Sequence, residues 1–200
     1  MMLNDNAQGP RQCGHGRHGR GPSSFWMHDP EKVFAELKLT PGDRFLDLGC
    51  GPGDYSLRAS RAVGESGLVY ALDRQKEAMD QIKKKMISED CSNIKAIQAD
   101  ITQTLPIDDG CIDVCFMATV LHILQVKRAG LTLFKEIHRV LKPGGRYAVI
   151  ECKKEDQPFG PPKHIRLSPE EIGDAVRGHG FKKMDLADLG YNYLIQFAAV

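Results

Sequence analysis

The sequence predicts an α/β fold, a three-layer sandwich around a mostly parallel sheet, and three observations carry that prediction. Short apolar runs alternate with amphipathic stretches five times in succession, a pattern that needs helices on both faces of one sheet. Two further apolar runs flank Leu189-Gly190 closely enough to form a terminal antiparallel hairpin. The third observation is the stretch Phe45-Leu46-Asp47-Leu48-Gly49-Cys50-Gly51-Pro52-Gly53-Asp54-Tyr55, which reads as a buried strand, a glycine turn and a helix start. Its alternating glycines let the backbone turn sharply and come close to a ligand.

Residues 1–24 are rich in Gly, Asn, Gln, Arg and His, with hardly an apolar residue after Leu3. They bury too little surface to offset the entropy of ordering, so a mobile tail is expected ahead of one domain over 25–200. The tail carries Cys13, His15 and His18, a thiol and two imidazoles of the kind that ligate transition metals. The plainer reading is a basic, histidine-bearing leader, and no metal site is assigned. Phe25-Trp26-Met27-His28 has two readings, a lid over the pocket or a staple of the first helix to the core.

A helix over 31–39 follows from Val33, Phe34 and Leu37 on one face, and a turn at 40–43 leads into the glycine-rich strand. A helix over 55–63 comes next, then a strand over 68–73 that ends in Asp73. The helix over 75–87 buries Ala78, Met79, Ile82 and Met86 and leaves Lys83-Lys84-Lys85 to solvent. Strands over 93–99 and 112–117 follow, with Asp100 just after the former. Phe134, Ile137, His138 and Leu141 mark a helix over 131–141, which Lys142-Pro143-Gly144-Gly145 ends before a strand over 146–151. Ser168-Pro169-Glu170-Glu171 is a strong helix start, and that helix is expected to run to 179–180. Strands over 182–188 and 191–200 close the chain.

With 200 residues, 42% of them hydrophobic, 26% charged and a net charge of +1, the composition is that of one ordinary soluble domain. The balance gives no support to a nucleic-acid or membrane-surface partner, both of which favour excess Lys and Arg. The longest apolar run, 112–124, is interrupted by Asp113, Thr119 and His122 and is too short to span a bilayer. Six scattered cysteines, several within apolar runs, and the lack of a secretory leader favour a reduced, cytoplasmic protein.

In an open parallel sheet, ligands sit beyond the carboxyl ends of the strands, where strand order reverses. The glycines, Asp73, Asp100 and Met117 all fall at such ends and are expected to share one crevice. Asp73 lies about twenty residues past the glycines, where an acid accepts from the ribose hydroxyls of an adenosine-type cofactor. The spacing is G-x-G-x-G, and Asp54 stands where the dinucleotide fingerprint has its third glycine. A pyrophosphate there would meet the carboxylates of Asp47 and Asp54, at a cost of roughly a few kcal/mol in a partly desolvated cleft. A ligand carrying an ammonium and a sulfonium would be attracted, and S-adenosylmethionine is such a ligand. An NAD-linked oxidoreductase and a cofactor- or metal-responsive binding protein are the alternatives.

Asp47-Leu48-Gly49-Cys50-Gly51-Pro52-Gly53 resembles the first signature of class I S-adenosylmethionine-dependent methyltransferases. Asp73 matches that family's ribose acid, Ala99-Asp100-Ile101 its adenine-contacting segment, and Leu141-Lys142-Pro143-Gly144-Gly145 its turn before the fifth strand. Within the superfamily the chain is most similar to the ubiquinone/menaquinone biosynthesis C-methyltransferase branch. The resemblance implies a Rossmann-like methyltransferase fold, with a seven-stranded sheet in the order 3-2-1-4-5-7-6 and an antiparallel strand seven. It implies that Gly49, Gly51 and Gly53 approach the methionine moiety, that Asp47 helps hold the ammonium, and that Asp73, with Arg74 beside it, grips the ribose. It also implies that Asp100 accepts from the adenine amino group while Ile101 and Met117 pack against the ring.

Methyl transfer from a sulfonium needs alignment and desolvation, and a general base only if the acceptor must lose a proton. The candidates are His122 and Glu151. Their plainer roles are packing within 121–124 for the histidine and a salt bridge to Lys153 or Lys154 for the glutamate. The segment 152–166 carries no long insertion, so a small-molecule acceptor is expected. Arsenic methylation is the rival that six cysteines bring to mind, but Cys91, Cys111 and Cys115 fall in or beside buried segments, where cysteine behaves as a small hydrophobe.

Overall fold

The computed structural model of the chain describes residues 23–124 and 126–200. The order is α1 (Pro30–Leu37), β1 (Arg44–Leu48), α2 (Asp54–Val63), β2 (Leu68–Asp73), α3 (Lys76–Ser88), β3 (Ile94–Gln98), β4 (Ile112–Ala118), α4 (Val126–Val140), β5 (Leu141–Cys152), α5 (Pro169–Val176), β6 (Phe181–Leu189) and β7 (Asn192–Ala199). Short 3-10 turns stand at Ser24–Met27 and Lys163–Ile165. Cys13, His15 and His18 of the expected tail lie outside the described residues.

The seven strands form one sheet in the order β3-β2-β1-β4-β5-β7-β6, as the resemblance implied. β1, β2, β3, β4 and β5 pair in parallel, and β7 runs antiparallel between β5 and β6. Strand order reverses at β1, which pairs with β2 on one side and β4 on the other, so a crevice opens beyond the carboxyl ends of β1 and β4.

Alternation along each strand sends side chains to two cores. Phe45 joins a cluster with Val33 and Leu37 of α1, Leu57 of α2 and Ile82 of α3. Leu46 and Leu48 join the other, with Phe134 and Ile137 of α4 and Ile172 of α5. Three helices therefore cover one face and two the other, which makes the three layers. Phe116 sits at the centre of the first core, 5.6 Å from the Phe45 ring and 4.8 Å, edge-on, from Tyr55. Burying such a side chain contributes about 1.5–3 kcal/mol.

Local chemistry explains the helix ends. Asp29 caps α1 by accepting from the Glu31 amide at 3.0 Å, with Pro30 opening the helix. Ser168 and Glu171 form the expected capping box on α5, the Ser168 amide donating to the Glu171 carboxylate at 2.7 Å.

Three boundaries differ from expectation. α5 stops at Val176, because Arg177 is already extended and Gly178 takes φ +81°. α4 begins at Val126, since its backbone continues through Gly130, a residue that by propensity alone disfavours a helix interior. Residues 142–145 do not end the helix ahead of a separate strand. β5 already starts at Leu141, paired with Ile112, and its next partner step jumps to Arg146 opposite Val114, so the Lys-Pro-Gly-Gly residues bulge out of the ladder.

Candidate functional site

The glycine turn leaves β1 at its carboxyl end and folds over β2. The Gly49 and Cys50 amides both donate to the Leu72 carbonyl, at 2.8 and 3.0 Å, and the Gly51 amide donates to Asp73 Oδ2 at 3.0 Å. The other Asp73 oxygen accepts from the Gln75 amide at 2.9 Å. Asp73 is thus bonded to the backbone of both the glycine turn and the approach to α3.

The glycines have separate tasks. Gly53 takes φ +82°, and a Cβ there would lie 2.5 Å from the buried Ile82 side chain, so this residue lets the turn pack on α3. Gly51 takes φ +52°, yet a Cβ there would meet nothing within 4 Å, because the position opens into the crevice. Gly49 is closed off by Val120, whose Cγ2 would be 2.8 Å from a Cβ.

The crevice has a volume of about 1030 Å³. Of the residues expected there, Asp47, Gly49, Gly51, Asp73, Arg74, Asp100 and Ile101 line it, and Gly53 and Met117 do not. Met117 is 0% exposed and points into the core shared with α4 and α5, where the Tyr147 hydroxyl donates to its sulfur at 3.6 Å. The wall goes instead to the residues that follow as the chain leaves β4, Ala118, Thr119 and Val120. Thr119 stands at φ +55°, a left-handed conformation that a β-branched residue rarely adopts.

The electrostatics of the crevice are acidic, with Asp47, Asp73, Glu77 and Asp100 facing Arg74. Asp47 is 2% exposed, and its Oδ2 accepts from the Ser56 hydroxyl at 2.6 Å. Burial pushes its carboxyl up to about 7; the nearby Asp73 and Asp54 act in the same direction, and the Ser56 bond opposes them. Asp100 is held below the usual carboxylate range, first by the Thr102 amide and then by the Thr102 hydroxyl, both bonded to Oδ1. Asp54 is oriented otherwise than the sequence reading supposed. Its carboxylate pairs with Lys85 of α3 and does not line the crevice, so Asp47 and Asp73 supply the repulsion toward a pyrophosphate.

His122 and Glu151 come together, although they are 29 positions apart. Glu151, at the end of β5, is 0% exposed and sits 2.7 Å from His122 Nδ1, while the His122 amide donates to its other oxygen at 3.3 Å. The salt bridge to Lys153 or Lys154 is not made: Lys153 pairs with Asp188 and Lys154 with Glu171. Neither His122 nor Glu151 lines the crevice itself, but Val120, Ile123 and Leu124 of the same turn do.

Several lining residues escaped sequence reasoning. Gln75, Glu77, Ala78 and Gln81 come from the start of α3, and of these Ala78 fits an ordinary core position by its spacing. Ser23 and Ser24 reach the crevice from the amino-terminal side. The segment behind them is anchored, with Phe25 edge-on to Tyr55 at 5.0 Å and His28 Nε2 2.5 Å from the Tyr55 hydroxyl. Burial lowers the His28 pKa to about 4, against the pull of Asp29, so the imidazole is neutral at pH 7. Of the two readings of Phe25-Trp26-Met27-His28, the contact of Phe25 with Tyr55 supports the staple, and none of the four residues lines the crevice, whose wall on this side is Ser23 and Ser24. In the loop after β5, the buried Arg166 guanidinium donates to the carbonyls of Pro161, Glu155 and Phe159 at 2.7, 2.8 and 3.0 Å, and the sequence offers no signal for it.

Comparison with known proteins places this architecture. Residues 39–193 match the family model described as a methyltransferase domain. A demethylmenaquinone methyltransferase of Lactococcus lactis is 36% identical over 138 residues, covering 68% of this chain and 53% of that protein. An arsenite methyltransferase of Halobacterium salinarum is 29% identical over 147 residues, 74% of this chain and 35% of that protein. The chain thus spans about half the length or less of these curated relatives. Among solved structures, a SAM-dependent methyltransferase from Aquifex aeolicus superposes with a TM-score of 0.81 at 32% identity, covering 90% of this chain and 94% of that one. With that match over most of its length, and with the strand order and glycine turn described above, the chain belongs to the methyltransferase domain family and has the class I, S-adenosylmethionine-dependent architecture.

Proposed function

We propose that the crevice binds S-adenosylmethionine and that the protein transfers its methyl group to a small-molecule acceptor. The observation that carries this reading is the acidic crevice over the β1–β4 switch point, lined by an open glycine backbone at Gly51, which donates to Asp73, and by the buried Asp47. Such a site attracts a ligand with an ammonium and a sulfonium and disfavours a pyrophosphate, which argues against an NAD-linked oxidoreductase.

The lining residues suit the parts of that cofactor. The backbone at Gly49 and Gly51 borders the methionine moiety, and Asp47 faces its ammonium. Asp73, with Arg74 beside it, takes the ribose hydroxyls, Asp100 accepts from the adenine amino group, and Ile101 packs on the ring. Gly53 and Met117 act behind this surface, by seating the turn on α3 and filling the core. When bound, the cofactor supplies a methyl group already activated on sulfur. The protein's contribution is then to align acceptor and methyl carbon and to exclude water.

The name of the Lactococcus relative supports a quinone-type aromatic acceptor. A metalloid acceptor is less favoured, because Cys50, Cys115 and Cys152 are buried and, among the described residues, no three His, Cys, Asp or Glu side chains group as metal ligands. The thiols of Cys50, Cys91, Cys111, Cys115 and Cys152 are unbridged, which supports a reducing, cytoplasmic setting. No helix among the described residues is long and apolar enough to cross a membrane. Calorimetry with S-adenosylmethionine, S-adenosylhomocysteine and NAD tests the proposal. Binding of both sulfur ligands is expected, and tight binding of NAD alone would overturn it.

A further inference from the structure

The carboxylate of Glu151 is wholly buried, and among the described residues its hydrogen bonds come from His122 alone, through Nδ1 at 2.7 Å and the backbone amide at 3.3 Å. A buried carboxylate is costly unless it is paired, so this one is held by the imidazole and holds it in return. The backbone of the histidine is fixed as well, by a turn in which Ile123 and Leu124 donate to the carbonyls of Val120 and Leu121 at 3.0 and 3.1 Å. With Nδ1 committed to Glu151, the remaining ring nitrogen, Nε2, has no hydrogen bond among the described residues. An imidazole oriented through one nitrogen and unengaged at the other is set up to take a proton.

His122 does not itself line the crevice, but it sits in the middle of a turn that does, through Val120, Ile123 and Leu124, and the side of the sheet on which that turn stands says whose proton is taken. Asp73 and Asp100, the proposed adenosine contacts, stand at the ends of β2 and β3, on one side of the switch point. The dyad stands on the other side, above β4 and β5, where the Thr119 amide donates to the Ile150 carbonyl at 2.8 Å and ties the crevice wall to β5. Ile123, next to the histidine, lines the crevice and is 59% exposed, an apolar surface suited to a ring.

We propose that His122 is the base that removes the proton of an aromatic hydroxyl on the acceptor, and that Glu151 is the positioning residue that orients it. The inference rests on the reading of the crevice as an S-adenosylmethionine site. Nε2 takes the hydroxyl hydrogen, and the O–H electron pair stays on the acceptor as a phenolate. The phenolate oxygen, or the ring carbon beside it, forms the bond to the methyl carbon as the carbon–sulfur bond breaks, and that electron pair returns to sulfur as a neutral thioether. His122 then releases its proton to solvent. In attack through carbon the ring loses its displaced hydrogen as a proton while the oxygen regains one, so each turnover releases one proton by either route. An acceptor already ionised, such as a thiolate, would need no such base.

The test uses the full chain with S-adenosylmethionine and 1,4-naphthohydroquinone under anaerobic conditions, reading methylated product by mass spectrometry and S-adenosylhomocysteine affinity by calorimetry. His122→Asn is expected to lower kcat by about 100-fold or more, with the S-adenosylhomocysteine Kd within about twofold of wild type, the change that RT ln 2 makes negligible against a lost contact. His122→Gly should regain activity on addition of imidazole, which no purely structural role predicts. Glu151→Gln should lower kcat by about tenfold or more with KM unchanged, as for a group acting only in the transition state. Wild-type kcat in His122→Asn, or a loss in His122→Gly that imidazole does not rescue, would overturn the assignment. A wild-type chain that binds S-adenosylhomocysteine without methylating the hydroquinone would overturn the acceptor class. A chain that does not bind S-adenosylhomocysteine would instead overturn the cofactor reading.

Discussion

Replacing Asp47 by asparagine removes the most strained charge in the crevice and should make the unliganded protein more stable at alkaline pH. The folded carboxyl titrates at about 7 instead of 3.8, because it is buried, with the charges of Asp73 and Asp54 adding to the shift. Between those two values the folded state holds a proton that the unfolded state has released. Stability conferred by that proton is therefore complete below pH 4 and is lost as pH rises to about 7. At about 1.36 kcal/mol per pH unit, the gap from 3.8 to about 7 amounts to roughly 4 kcal/mol. Asparagine is nearly isosteric, is neutral throughout, and can still accept from Ser56. Near pH 3 the variant should match wild type, and by pH 5 it should already be more stable by about 1.6 kcal/mol. At pH 8 it should be more stable by up to about 4 kcal/mol, or about 8–16 °C in Tm for a domain of this size. Differential scanning calorimetry from about pH 3 to pH 8 reads this directly. An equal loss of stability at both ends of that range would refute the burial argument. A cationic ligand beside Asp47 should also expel the proton, so binding of S-adenosylmethionine at pH 6 should release up to about 0.9 proton. That release is measurable from the buffer dependence of the binding heat and should vanish in the variant.

Two glycine substitutions should separate folding from binding. Gly53→Ala combines a left-handed backbone with overlap on Ile82 and should cost about 2–5 kcal/mol in urea unfolding. Gly51→Ala meets only open space, so it should cost about 1–2 kcal/mol of stability while weakening S-adenosylhomocysteine binding by about tenfold or more, since its methyl group enters the crevice; a Gly51→Ala protein with wild-type affinity would show that no ligand approaches there. Thr119→Asn places a residue that tolerates φ +55° at a position now strained, and should raise stability by about 0.5–1 kcal/mol; a lowered denaturation midpoint would deny the strain. Asp73→Ala should weaken S-adenosylmethionine binding by about 1.5–3 kcal/mol, because it removes acceptors for two hydroxyls. An unchanged Kd by calorimetry would displace the ribose from β2.

Much of the site was legible because it depends on backbone. A strand that ends in alternating glycines, and an acid at the end of the next strand, carry their geometry in residue type and spacing. The parallel topology then brings Gly51 and Asp73 to hydrogen-bond distance. The capping box of α5 was legible for the same reason, since its hydrogen bonds run between residues three apart.

What was misread depends on which way a side chain turns and what meets it across the fold. Met117 and Thr119 are two residues apart at the end of one strand, yet Met117 fills a core while Thr119 walls the crevice. Only the path of the chain as it leaves β4 separates them. Asp54 was counted as a charge facing the ligand, but α3 places Lys85 against it. Glu151 was paired in expectation with its neighbours in sequence, whereas β5 delivers it to His122, 29 positions away. The sequence by itself determined the strand-helix alternation and the glycine turn, because those follow from periodicity and from backbone conformations that residue type dictates, while the strand order came from the family resemblance. The tertiary structure alone decided that Asp47 is buried and resists ionisation, that Asp54 pairs with Lys85, and that His122 and Glu151 are hydrogen-bonded to each other. Each of these is an electrostatic or packing relation between distant segments, and no spacing along the chain encodes the distance between them.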